Sequence, residues 1–124
     1  MNRRSFLTLG AGLGLSTAFS LPVFAGSPSG SFTGKSGHIT TGGVSVSAAS
    51  VDLAASFDFD GAPDPRVGLG KNGKYDPATD MGALRANKGA QSYAIPAGVD
   101  ASAYNEVYIF CRKFNVPLGV APLN

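Results

Sequence analysis

The chain of 124 residues has no tryptophan, one cysteine (Cys111) and one histidine (His38). A single cysteine excludes a disulfide within the chain. A single histidine excludes a blue-copper site, which needs two. One of each leaves too few ligands for a structural zinc site. A Ser-His-Asp triad would have to use His38, and no nucleophile-elbow pattern accompanies it. Long apolar runs are also scarce: beyond the first 25 residues no stretch is long enough to span a bilayer. An excess of one charge is missing too. The chain carries 10 basic and 8 acidic residues, and Arg3 and Arg4 lie in the leader, so the remainder holds 8 of each. That balance argues against nucleic acid or an anionic membrane surface as partner.

What is present begins with the leader. Met1-Asn-Arg-Arg-Ser-Phe-Leu7 opens the chain, and an uncharged stretch follows from Ser5, broken by Gly10, Gly12, Gly14 and Pro22. Val23 and Ala25 stand where a signal peptidase reads small or branched residues. A charged start, an apolar middle and a small-residue exit make a secretory signal. The pair Arg3-Arg4 before Ser5-Phe6-Leu7 is of the twin-arginine type. The expectation is a signal peptide over residues 1–25, a linker over 26–30, and one domain over 31–124 in the periplasm or outside the cell. An uncleaved anchor is the competing reading, weakened by the glycines and Pro22.

After Gly30 the hydrophobic pattern has period two. Val44 and Val46, Val51 and Leu53, Phe57 and Phe59, and Tyr93 and Ile95 alternate with small or polar residues. Val107, Ile109 and Cys111 share one face of a further strand, with Tyr108 and Phe110 on the other. Val116, Leu118 and Val120 close the pattern. Turn signals separate these runs, among them Lys71-Asn-Gly73 and Pro96-Ala-Gly98. The expectation is an all-β fold, an antiparallel β-sandwich of about seven short strands. Lys71 to Gly89 reads as loop, with one helical turn near Asp80 to Leu84.

Several motifs fail on their context. Gly68-Leu-Gly-Lys-Asn-Gly73 matches the dinucleotide glycine pattern, but Pro77 follows where a helix must begin. The same segment has P-loop spacing with Tyr75 in place of the metal-binding Ser or Thr. Asp58, Asp60 and Gly61 resemble the start of a calcium loop, yet Leu69 stands where its glutamate belongs. No metal site is expected.

Two longer pieces are more specific. Leu84-Arg-Ala-Asn-Lys-Gly-Ala-Gln-Ser-Tyr-Ala-Ile-Pro96 precedes Val107-Tyr-Ile-Phe-Cys-Arg-Lys-Phe-Asn-Val-Pro-Leu-Gly-Val-Ala-Pro-Leu123. With Gly30-Ser-Phe32, Gly37-His38, Gly42-Gly-Val44 and Gly61-Ala-Pro-Asp64, they resemble a DM13 domain from about Gly30 to Leu123. The resemblance implies a part in an extracytoplasmic electron-transfer system, in a family often found beside DOMON and b-type cytochrome modules. It implies that Cys111 acts as a free thiol or as ligand to a group such as haem. This chain has no neighbouring redox domain, so the electron partner would be a separate protein. Phe110 stands before the cysteine where the family allows tryptophan.

Read from the residues alone, Cys111 has two faces. Arg112 and Lys113 follow it, and nearby positive charge favours thiolate. Its inward position suits a small core hydrophobe equally well. If haem binds, His38 is the natural second ligand, with Met81 a remote alternative; otherwise His38 is a surface or packing residue. The aromatic set Phe32, Phe57, Phe59, Tyr93, Tyr104, Phe110 and Phe114 reads as sandwich core. Arg85, Lys88 and Gln91 read as a polar rim or a solvated loop. An exposed Cys111 would also allow a disulfide-linked dimer.

Overall fold

The computed structural model describes residues 27–124; the expected signal peptide over residues 1–25 lies outside them. The fold is an antiparallel β-sandwich. Its strands are β1 Ser29–Ser31, β2 Thr33–Gly34, β3 Thr40–Thr41, β4 Gly43–Val46, β5 Ser50–Leu53, β6 Asp58–Phe59, β7 Pro65–Lys71, β8 Lys74–Asp76, β9 Gln91–Ala94, β10 Glu106–Cys111 and β11 Val116–Pro122. One sheet runs β1-β4-β5-β9 and the other β2-β11-β10-β7-β8, with β3 and β6 paired apart. Ser29 and Gly30, read as linker, belong to β1.

Alternation decides what is buried. Val44, Val46, Val51, Leu53 and Tyr93 from the first sheet meet Val67, Leu69, Val107, Ile109, Cys111 and Leu118 from the second in one cluster. Each buried aliphatic side chain contributes about 1.5–3 kcal/mol by leaving water. Among the described residues no helix is long and apolar enough to cross a membrane.

The longest strand that the sequence pattern does not announce is β7, which lies between β10 and β8 inside the larger sheet. Its glycines weaken the strand signal, and a packing requirement explains them. A Cβ on Gly68 would lie 2.6 Å from the Tyr75 ring, and one on Gly70 would lie 2.4 Å from the Tyr108 ring. Asn72 and Gly73, both at positive φ, form the two-residue turn that returns the chain into β8. No helical turn forms at Asp80 to Leu84; the short 3₁₀ turn is at Pro77–Thr79, capped by the Asp76 side chain. Asp80 to Leu84 instead lies along β7, with Met81 N–H donating to the Val67 carbonyl.

Strand β11 carries a bulge. Ile109 faces Gly119 while Phe110 faces Pro117, which leaves Leu118 as the extra residue. The Leu118 carbonyl accepts from Lys35 N–H at 2.9 Å and from the Thr40 hydroxyl at 2.9 Å. The bulge therefore ties the loop carrying His38 to the edge of the larger sheet.

Candidate functional site

Cys111 is the last residue of β10, opposite Val116 of β11 and Pro65 of β7. It is 1% exposed and packs into the core. Because side chains alternate along a strand, Arg112 is directed away from it. Arg112 N–H donates to the Asp64 carbonyl at 3.1 Å, and its Nε meets Asp64 Oδ2 at 3.2 Å. Asp64 also lies 3.9 Å from Arg66, whose Nε reaches Asp80 at 3.1 Å. Lys113 lies over the Phe114 ring at 5.6 Å. Both cations next to the cysteine in sequence thus have other partners.

His38 sits on the β2–β3 loop, held from one side. Its Nδ1 is 2.9 Å from Asp60 Oδ1, and the other carboxylate oxygen accepts Ile39 N–H at 3.0 Å. The Ile39 N–H and then the His38 contact hold the Asp60 carboxyl below its usual range. The imidazole lies tilted over Phe59, with ring centres 5.8 Å apart. A carboxylate on one ring nitrogen leaves Nε2 as the free ligand or base atom. Asp58 turns to Lys88 at 3.7 Å, so Asp58 and Asp60 serve different partners. Among the described residues, no three His, Cys, Asp or Glu side chains converge.

The structure does not bring Cys111 and His38 together into one cleft. No hydrogen bond joins them among the described residues, and the larger surface grooves are lined by other side chains. A haem ligated by Cys111 needs an open face on the sulfur, and this sulfur is enclosed. The residues present do not fit haem at Cys111.

The loop between β8 and β9, with its polar residues Arg85 and Gln91, is a structural closure and not a rim. The Arg85 guanidinium lies 4.1 Å over the Tyr93 ring. Arg85 N–H donates to the Tyr93 hydroxyl at 2.9 Å, and that hydroxyl donates to Gln91. Gln91 Nε2 donates in turn to the Ala86 carbonyl at 2.9 Å. Two residues assigned to the core lie elsewhere: Phe110 is on the outer face of the larger sheet, and Phe114 is 59% exposed in the β10–β11 turn. The outer-face partner of Phe110 is Tyr75, stacked at 4.1 Å and 11°. Sequence reasoning passed over Tyr75 because it follows a glycine-rich segment and lies on a three-residue strand.

Comparison with known proteins gives one family. A family model described as Electron transfer DM13 matches residues 31–123, nearly all of the described chain. No curated protein and no solved structure matches.

Proposed function

The chain belongs to the DM13 family, and on that premise we propose that it is an exported electron-transfer protein working through the thiol of Cys111 with a separate redox partner. The single observation that carries the reading is the position of the only thiol. Cys111 closes β10 immediately before the exposed turn Arg112–Asn115, and the reading requires that local opening of this strand end uncover the sulfur without unfolding the sandwich. The uncovered thiol loses its proton, and the thiolate attacks a disulfide of the partner. A mixed disulfide forms and one partner thiolate leaves. A second thiolate then attacks the partner's sulfur of the mixed disulfide and regenerates the Cys111 thiolate. The leader with Arg3-Arg4 supports export before this chemistry occurs.

The test is thiol–disulfide exchange between glutathione and a disulfide-bonded reporter peptide, with the protein added. The wild type accelerates exchange and Cys111→Ala does not. Equal acceleration by both would remove Cys111 from the function. Replacement of Arg3 and Arg4 by lysine is expected to retain the protein inside the cell, which fractionation reads directly.

A second reading draws on the burial of Cys111: a binding or adhesion module whose cysteine is a core hydrophobe. It predicts that the thiol reacts only on global unfolding. A disulfide-linked dimer requires the strand-end opening under the first reading and global unfolding under the second.

A further inference from the structure

The outer face of the larger sheet bears an aromatic ridge that the chemistry of Cys111 does not use. Tyr75 stacks on Phe110 and meets Tyr108 edge-on at 5.6 Å. These rings stand over Gly68 and Gly70, so the strand beneath is kept free of side chains. Shallow grooves flank Tyr108. One, of about 410 Å³, reaches Lys35; the other, of about 280 Å³, reaches Lys74. Gly73, Tyr108 and Pro117 line both grooves, so the two adjoin along one trough.

The charged side chains lining this trough are two lysines and one carboxylate. Lys35 and Lys74 are exposed, and among the described residues neither has a carboxylate within salt-bridge distance. Of the 8 carboxylates in the chain, Glu106 alone lines either groove. Glu106 is already held by Gly73 N–H at 2.8 Å and the Tyr108 hydroxyl at 3.1 Å. The balanced net charge thus hides a face with two unanswered lysines at the ends of an apolar trough.

We propose that this face docks an acidic segment of a partner protein, with an apolar or aromatic side chain against the half-buried rings of Tyr75 and Phe110 and carboxylates on Lys35 and Lys74. Charge complementarity selects this occupant. A polyanionic nucleic acid gains its affinity from many phosphate contacts, and two lysines beside Glu106 supply few. The trough is open and shallow, which suits a protein segment better than an enclosed small molecule. The inference stands apart from the redox reading, because its readout is binding and not electron flow. Docking here would nevertheless seat the partner against Phe110, the residue next to Cys111.

The test follows backbone amides of the isotopically labelled protein during titration. The probes are a synthetic peptide of alternating glutamate and tyrosine, its lysine–tyrosine counterpart, and an oligothymidylate. The glutamate peptide is expected to shift Gly73, Lys74, Tyr108 and Val120, with affinity falling as salt rises. The double variant Lys35→Glu/Lys74→Glu should weaken it by about tenfold or more. The neutral variant Lys35→Gln/Lys74→Gln should fall in between, and unchanged amides elsewhere certify its fold. Equal binding of the lysine peptide, preferential binding of thymidylate, concentration-dependent shifts without any probe, or no response to the glutamate peptide would each overturn the inference.

Discussion

Replacing Gly70 with alanine tests why β7 looks unlike a strand. The backbone at Gly70 is not in the left-handed region, so alanine is conformationally acceptable there. The space is not. The new Cβ would lie 2.4 Å and 2.8 Å from two Tyr108 ring carbons and 2.5 Å from the Lys74 carbonyl oxygen. The ring can turn, but the carbonyl belongs to the strand paired with β7, so β8 must move. Overpacking of this kind costs about 1–3 kcal/mol. Restricting the unfolded chain returns about 0.4–1 kcal/mol. With contacts of 2.4 Å and 2.5 Å, one of them to backbone, the cost falls in the upper part of that range, and the net expectation is a loss of about 1–2.5 kcal/mol. In urea this lowers the unfolding midpoint by roughly 0.5–1 M for an ordinary denaturant dependence. Gly43 in β4 is the control. Its Cβ would meet nothing closer than 3.5 Å, and its backbone is likewise permissive. Gly43→Ala is expected to be neutral or to stabilise by up to about 1 kcal/mol. Because the chain has no tryptophan, near-ultraviolet circular dichroism reports the tyrosines directly, and Gly70→Ala should alter that band while Gly43→Ala preserves it. If Gly70→Ala matches or exceeds the parent in stability, the account of the aromatic ridge is wrong.

Burial raises the phenols of Tyr75 and Tyr108 to about 12, so the folded state keeps protons that the unfolded chain loses near pH 10. Their contribution is fully present below about pH 10 and declines as pH rises towards 12; parallel tyrosinate absorbance and unfolding curves check this, and Tyr75→Phe should flatten part of the decline. Asp60 has the opposite sign: its carboxyl is lowered from 3.8 by Ile39 N–H and His38. Its contribution is present above about pH 4 and lost as acid protonates it, so Asp60→Asn should remove that part of the acid dependence and free the His38 ring in NMR. Gln91→Ala removes the acceptor of the Tyr93 hydroxyl and the donor to the Ala86 carbonyl, and should cost about 0.5–1.5 kcal/mol in thermal or denaturant unfolding.

Period-two alternation made β4, β5 and β9 legible, because each buries one face and shows small or polar residues on the other, and it made β10 legible through aliphatic residues on one face and aromatic ones on the other. The inward set Val107, Ile109, Cys111 came directly from it. Strand β7 was hidden because ring packing demanded glycine where strands favour branched residues. Strands β2 and β3 were hidden because two-residue strands carry no period, and the tertiary contact that fixes them, the Leu118 carbonyl, is remote in sequence. At the candidate site, sequence singled out Cys111 and His38, but the partners of Arg112 and His38 are non-local. Asp64 and Asp60 draw both side chains into contacts that no spacing rule announces.

The measurement that most directly tests the central claim is formation of the Cys111–glutathione mixed disulfide by mass spectrometry, in an oxidised and reduced glutathione buffer, across low denaturant concentrations. The account predicts that the adduct forms under native conditions through a small opening, faster than global unfolding and with a weak denaturant dependence. An adduct that appears only at the rate and denaturant dependence of global unfolding would contradict it and leave Cys111 as part of the core.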